Sequence, residues 1–76
     1  MKAFVLIKIR PGEIKEVVAS LKKIKSVQEA HMTFGAYDAI AVVETADVAK
    51  LGAITASDIQ PIPGIEQTLT CLAVDF

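Results

Sequence analysis

The spacing of the apolar residues limits what this chain can fold into more than any other feature. Residues 3–9 form a continuous, β-rich apolar run that stops at Arg10-Pro11-Gly12, where proline fixes φ and glycine relaxes it. From Glu13 onward, apolar residues recur at intervals of three and four, which is the period of one helix face. The stripe consists of Ile14, Val17, Val18, Leu21 and Ile24. The sequence therefore predicts a strand followed by an amphipathic helix.

The rest of the chain repeats this order with an added hairpin. Branched and aromatic residues predict strands over 27–34 and 37–44, joined by a short turn through Phe34-Gly35-Ala36-Tyr37. Thr45 or Asp47 is placed to cap a second helix over about 47–59. A turn at Pro63-Gly64 precedes a last strand over 65–76.

The order β-α-β-β-α-β is that of the ferredoxin-like arrangement. We predict an α+β sandwich in which both helices pack on one face of a four-stranded antiparallel sheet. The 76 residues leave room for one domain, residues 1–76. In the last strand, alternation predicts one face with Ile65, Gln67, Leu69 and Cys71 and an opposite face with Glu66, Thr68 and Thr70.

The other face of this sheet is predicted to be covered by a second subunit. Residues 4–7 and 39–43 are apolar at every position, whereas a sheet with one wet face alternates between apolar and polar residues. The chain is 53% apolar, and a domain of this size buries only about 60% of the surface its unfolded chain exposes. We therefore expect dimerisation through the sheets.

Several broad classes of protein are excluded or disfavoured. No apolar run approaches the roughly 18 to 20 residues of a membrane helix, and the N-terminus lacks a signal-peptide pattern. Cys71 is the only cysteine, so an intrachain disulfide is impossible. These features favour a cytoplasmic protein without membrane contact.

The charge is unevenly distributed along the chain. Residues 1–25 carry a net charge of +5 and residues 26–76 one of −6. The basic third is either a surface that faces nucleic acid or the solvent side of the first helix, and the second interpretation is favoured.

The sequence offers little for catalysis. His31 is the only histidine, and no serine lies in a motif that would activate its hydroxyl. No metal-ligand spacing or phosphate-binding glycine loop is present, so we expect no metal, no cofactor and no enzymatic activity. His31 is either a general base or, more commonly, a half-exposed sheet residue, and Cys71 is most simply a small core residue.

The turn around Gly35 carries the most chemical information. Gly35 permits positive φ and leaves neighbouring backbone N–H groups uncovered for a carboxylate. Asp38 offers a carboxylate for an ammonium group, Tyr37 a wall, and Thr68 and Thr70 hydroxyls. Together these groups suit a zwitterion, although a turn glycine, an interface tyrosine and a turn-capping aspartate explain the same residues without a ligand.

These residues resemble a known family. The hairpin Gly35-Ala36-Tyr37-Asp38 and the segment from Ile62-Pro63-Gly64 to Thr70, in this element order, are similar to the effector-binding (RAM) domain of the Lrp/AsnC feast-or-famine transcriptional regulators. The similarity covers essentially the whole chain. Phe34 departs from the family pattern, because many members have a small polar residue there.

The resemblance implies a dimer formed through the sheets, assembly of dimers into rings such as octamers, and an amino acid effector bound between dimers. Carried over by position, Gly35 and Ala36 contact the effector carboxylate, Asp38 its ammonium group, and Thr68 and Thr70 add polar contacts. Ala36 occupies a variable position of the pocket, next to Tyr37.

The resemblance also limits the expected activity. The chain begins directly with the first strand, so it is similar to stand-alone members without a helix-turn-helix, which co-assemble with full-length regulators, and direct nucleic acid binding is not expected. Two alternatives remain open: a small dimeric ferredoxin-like enzyme of the monooxygenase or isomerase type, and a purely structural interaction subunit.

Overall fold

The computed structural model describes residues 1–74 and confirms the predicted order of elements. Each observed element lies within one or two residues of its prediction, except that the second and last strands are shorter. Residues 75–76, at the end of the predicted last strand, lie outside the described part. The elements are β1 Lys2–Ile9, α1 Ile14–Lys22, β2 Val27–Met32, β3 Ala39–Glu44, α2 Val48–Ile54, a π-helical segment Thr55–Ile59, and β4 Ile65–Leu72.

The strands form one antiparallel sheet in the order β2-β3-β1-β4. Alternate residues of β1, from Ala3 to Ile9, are buried together with the buried residues of both helices, so one core fills the space between the sheet and the helical layer. Both helices therefore cover the same face, as the ferredoxin-like prediction requires. The core consists mainly of Val5, Ile7, Val17, Leu21, Val43, Leu51 and Ile59.

Helix α1 follows the apolar stripe that its sequence predicts. Val17, Val18 and Leu21 are buried, and Ile14 and Ile24 pack partly buried at the two ends of the stripe. The exposed side carries Lys15 and Lys22, which both interpretations of the basic third require.

The second helix differs from its prediction in its last turns. Asp47 is the N-cap, and its Oδ1 accepts a hydrogen bond from the backbone N–H of Lys50 at 2.8 Å. From Thr55 to Ile59 the α-helix gives way to a π-helical segment, in which the backbone N–H of Gln60 donates to the carbonyl of Thr55 at 2.9 Å. The predicted span 47–59 is thus helical, but not uniformly α-helical.

A β-bulge corrects the predicted faces of β4. Ile9 pairs with Ile65 and Lys8 pairs with Gln67, which leaves Glu66 as an extra residue without a partner on β1. The bulge shifts Ile65 to the helix side, where it packs against the core, instead of the side of Leu69. The placement of Ile65 was wrong because simple alternation assumes an unbroken register.

The face of the sheet away from the helices is apolar at its centre, as predicted. The paired residues form two cross-strand rows, and Val42 is so well surrounded that it is only 8% exposed. The rows are Val42, Phe4 and Cys71, and Ile40, Leu6 and Leu69. We call this surface the open face. The single chain, over residues 1–74, contains nothing that covers it.

The position of Cys71 contradicts the interpretation of this residue as part of the core. It lies opposite Phe4 on the open face and is exposed. Because β4 is an edge strand, nothing in the described chain flanks Cys71 on its outer side, and the apolar character of its neighbours does not bury it.

Within residues 1–74, no helix combines the length and the apolar character needed to cross a membrane.

Candidate functional site

The loop of residues 33–38 is held in one conformation by its own ends. Thr33 closes it twice: its backbone N–H donates to the carbonyl of Asp38 at 3.0 Å, and its Oγ1 donates to the carbonyl of Tyr37 at 2.9 Å. The N–H of Asp38 donates to the carbonyl of Ile7 on β1 at 2.9 Å. The loop is thereby fixed to the central strand of the sheet.

The top of this loop presents unoccupied backbone donors. Gly35 has a φ of +134°, a conformation that favours glycine, and a Cβ added there would meet nothing within 4 Å. Among the hydrogen bonds within residues 1–74, the N–H groups of residues 34–37 donate to no protein acceptor. Several free N–H groups in an exposed turn are suited to bind an anion such as a carboxylate.

The carboxylate of Asp38 has a structural role, as the turn-capping alternative expected, but its partner lies on β1. Its Oδ2 accepts a hydrogen bond from the backbone N–H of Ile9 at 2.8 Å, in a partly buried position. It therefore satisfies a backbone donor at the end of β1. In the part of the chain that the structure describes, no hydrogen bond reaches Oδ1, so that oxygen remains available to a ligand.

Lys8 is a neighbour of the loop that sequence reasoning missed. Its Nζ donates to the carbonyl of Ala36 at 3.1 Å, across 28 residues of sequence. The bond holds the carbonyl of Ala36 and places a cation beside the loop. No sequence motif predicts it, because it depends on the end of β1 and the loop before β3 meeting at the same end of the sheet.

The structure does not bring Thr68 and Thr70 together with the loop in one chain. Both threonines lie on β4, where they pair with Ile7 and Val5 of β1. The loop continues into β3, which lies on the other side of β1. Two strand spacings amount to about 10 Å, and both threonines lie on the helix side of the sheet. Thr68 accepts a hydrogen bond from Gln60 Nε2 at 3.2 Å, and Thr70 is exposed.

His31 lies apart from this loop. Its Nε2 contacts Glu29 Oε1 at 3.1 Å on edge strand β2, and its side chain is more than half exposed. A cavity of about 310 Å³ beside it is lined by the edge strand and the end of α1, including Lys22 and Gln28. This cavity lies between the edge strand and α1, whereas the enzyme alternative requires a cavity between two paired sheets that contains His31. His31 pairs with Ile40, so it belongs to the outer end of an open-face row.

Histidine, cysteine and carboxylate side chains are also scattered with respect to one another. Within residues 1–74, no three of them gather in an arrangement that could hold a metal ion.

Comparison with known proteins gives a consistent result. The model of the Lrp/AsnC ligand binding domain matches residues 2–75. The HTH-type transcriptional regulator FL11 of Pyrococcus abyssi is 34% identical over 74 residues, which cover 97% of this chain and 48% of the regulator. The proline dehydrogenase transcriptional activator of Rhizobium radiobacter is 33% identical over 61 residues, which cover 80% of this chain and 39% of the activator. These relatives are transcriptional regulators and not enzymes, and the chain spans about half the length of the first.

Solved structures share the fold. The protein TTHA0845 from Thermus thermophilus superposes with a TM-score of 0.93 at 31% identity, covering 99% of this chain and 94% of that one. A Neisseria meningitidis regulator solved in complex with L-methionine has a TM-score of 0.88 at 17% identity, covering 97% of this chain and 49% of that one. The second likeness shows the fold alone. Because the family model matches residues 2–75, which is nearly the whole of this chain, the chain belongs to the Lrp/AsnC ligand binding domain family.

Proposed function

We propose that this chain senses an amino acid at the loop of residues 33–38 and forms dimers through its open face, and that it thereby modulates Lrp/AsnC-type transcriptional regulation. Family membership supports the regulatory part of this proposal. The proposal goes beyond family membership in three respects. It names the class of effector, the assembly, and the residues that contact the effector.

The observation that carries the sensing proposal is the fixed loop with its two kinds of polar group. The free N–H groups of residues 34–37 suit the effector carboxylate, and the available Oδ1 of Asp38 suits its ammonium group. An amino acid has both groups on one carbon atom. The Neisseria regulator of the same fold was solved with an amino acid, L-methionine.

Thr68 and Thr70 enter the proposal only through a second subunit. They lie about two strand spacings from the loop of their own chain, on the far side of β1, so the two sets do not form one pocket in the single chain. We propose that the effector lies between subunits, with the loop from one and the threonines from another. Because such a site is complete only when two subunits meet, effector binding favours assembly and assembly favours effector binding.

Two substitutions of Asp38 separate ligand binding from folding. In Asp38→Asn, the amide oxygen still accepts the hydrogen bond from Ile9 while the negative charge is lost. In Asp38→Ala, both the charge and the hydrogen bond are lost. We expect Asn to keep the melting temperature of the wild type and lose effector binding, and Ala to lower both.

Calorimetric titration against all twenty amino acids tests the sensing proposal. Heat of binding from at least one amino acid, reduced at least tenfold in affinity by Asp38→Asn, is the expected result. No binding by any amino acid would contradict sensing, and unchanged binding by the Asn variant would contradict the role of Asp38. Native mass spectrometry on the same samples reports the assembly and the bound mass together.

A further inference from the structure

Lys8 carries a positive charge to the loop of residues 33–38 without being paired there with a negative one. Its side chain is half-buried on the open-face side of β1, and Lys8 pairs across the sheet with Gln67. Its Nζ donates to the carbonyl of Ala36 at 3.1 Å. None of the ion pairs within residues 1–74 includes Lys8 or Asp38. The two opposite charges at this loop are therefore each held by the backbone and not by one another.

The hydrogen bonds of the loop distinguish its peptide groups. The peptide group that follows Tyr37 is bonded at both ends, to Thr33 Oγ1 and to the carbonyl of Ile7. The peptide group that precedes Tyr37 is bonded only at its carbonyl, by Lys8. Within residues 1–74, the peptide groups that contain the N–H groups of residues 34–36 have no hydrogen bond at either end. Among the free N–H groups of the described loop, that of Tyr37 is thus the one whose peptide group is held by a side chain.

The bond from Lys8 determines where the N–H of Tyr37 points. A trans peptide group is planar, and its N–H points away from its carbonyl. With the carbonyl of Ala36 held by Lys8, the N–H of Tyr37 is turned to the opposite side. An ammonium donor on the carbonyl also polarises the peptide group, which makes its N–H a stronger donor.

The charge of Lys8 acts at the same position. A carbonyl oxygen and the nitrogen of its peptide group are at most about 2.6 Å apart, so Nζ lies within about 6 Å of the Tyr37 nitrogen. An anion that accepts a hydrogen bond from this N–H lies within about 9 Å of Nζ, which is inside the Debye length of about 10 Å at roughly 0.1 M ionic strength. A carboxylate there is attracted by the ammonium group, and a neutral amide is not.

We propose that Lys8 is the positioning residue of the carboxylate subsite, because it turns the N–H of Tyr37 toward the effector and makes the site prefer an ionised carboxylate to a neutral amide. The inference rests on the proposed sensing of an amino acid at this loop. It goes further by assigning one donor and by limiting the effectors to free amino acids, as opposed to their amides. The unpaired charges of Lys8 and Asp38 remain for the two charged groups that an amino acid carries on one carbon atom.

Calorimetric titration with each of the twenty amino acids and its carboxamide tests the preference. Lys8→Met keeps a long side chain but loses the charge and the donor. We expect it to weaken amino acid binding by about tenfold, as for the loss of one charge-assisted hydrogen bond, and to weaken carboxamide binding less. Lys8→Arg keeps the charge and the donor and should bind as the wild type does.

Lys50→Met is the matched control, since it removes the same charge from α2 and leaves the loop unchanged. It should bind amino acids as the wild type does. Unchanged amino acid binding by Lys8→Met would overturn the inference. Equal weakening of amino acid and carboxamide binding would overturn it as well, because a role in loop shape alone has that effect.

Amide NMR spectra identify the donor directly. Saturation of the wild type with the amino acid that gives the largest heat should shift the amide proton of Tyr37 downfield more than those of residues 34–36. The shift should be smaller in Lys8→Met at the same saturation and should be restored in Lys8→Arg. The wild-type spectra test the donor even if Lys8→Met does not fold. A Tyr37 amide that does not move while its neighbours do would overturn the inference.

The outcomes separate this inference from the proposed function. Binding of an amino acid without a shift at Tyr37 would contradict the role of Lys8 and leave sensing standing. No heat from any amino acid would contradict sensing and the inference with it. In the protein without effector, the nitrogen resonance of Tyr37 should differ between the wild type and Lys8→Met, because the bond to the preceding carbonyl is lost. Identical resonances would show that Lys8 does not hold this peptide group.

Discussion

At the scale of single residues, two glycines with different surroundings show how the structure distinguishes positions that look alike in sequence. Gly64 has a φ of +101°, and a Cβ added there would lie 3.1 Å from Val17 Cγ2 and 3.2 Å from Glu13 Cβ. Gly52 lies in α2 without positive φ, and an added Cβ would meet nothing within 4 Å. One glycine is required by its conformation and its close contact with α1, and the other is not.

Alanine substitutions at these two positions should therefore change stability in opposite directions. Gly64→Ala is expected to lower the free energy of unfolding by about 1–3 kcal/mol, because a residue with a side chain is strained at positive φ. Gly52→Ala is expected to raise it by about 0.5–1 kcal/mol, because alanine loses less backbone entropy in a helix. Urea denaturation monitored by circular dichroism measures both. Equal effects would contradict the assignment.

Residue-level prediction of the site succeeded where function depends on local conformation. The positive φ of Gly35 and the uncovered N–H groups around it follow from turn chemistry, and the structure has both. The hydrogen bond from Ile9 to Asp38 and the contact of Lys8 with Ala36 were not foreseen, because each joins residues that are 28 or 29 positions apart.

At the scale of elements, the helix starts differ in how their first N–H groups are satisfied. Asp47 accepts a hydrogen bond from the N–H of Lys50 at the start of α2, whereas Glu13 at the start of α1 makes no such side-chain bond. Glu13 instead pairs with Arg10 at 3.0 Å on the surface. The hydrogen bond of Asp47 is specific to a capping position. The pair of Glu13 with Arg10 is a surface ion pair, which contributes little to the free energy of unfolding.

Removing each of these side chains should separate the two roles. Asp47→Ala is expected to reduce the free energy of unfolding by about 1 kcal/mol, since an N-cap is lost. Glu13→Ala should change it by less than about 0.5 kcal/mol, as is usual for surface substitutions. Thermal and urea unfolding of both variants give the comparison. No loss of stability in Asp47→Ala would show that the cap does not stabilise α2.

At the scale of the whole molecule, the uncovered sheet face determines how the chain can assemble. Helices cover one face of the sheet, and the other presents rows of apolar side chains centred on Phe4 and Leu6. A contiguous apolar patch of this kind on a small protein is typical of an interaction surface. We expect a second copy to cover it.

A charge at the centre of the open face should prevent dimerisation without unfolding the chain. Leu6→Lys places an ammonium group between Ile40 and Leu69, where pairing of two sheets would bury it without a partner. We expect a monomer in sedimentation velocity, with the circular dichroism spectrum of the wild type. The control Val48→Lys, on the helical layer, should remain dimeric. A dimeric Leu6→Lys variant would rule out the open face as the interface.

The sequence by itself determined the element order and the ferredoxin-like fold. Apolar periodicity and turn residues are local properties, and only a few chain topologies bury such a set of strands and helices in one core. The same information predicted that the second face of the sheet is apolar. These conclusions needed no knowledge of which strands are neighbours across the sheet.

Only the tertiary structure decided how the site residues are arranged. The bulge opposite Ile9 turns Ile65 toward the core, and the strand order places Thr68 on the far side of β1 from the loop with Asp38. Cys71 is exposed because β4 is an edge strand, although its neighbours in the sequence are apolar or small. Register and strand order are set by packing between distant segments, and one extra residue in a strand reverses the face of a side chain, so no local pattern contains this information.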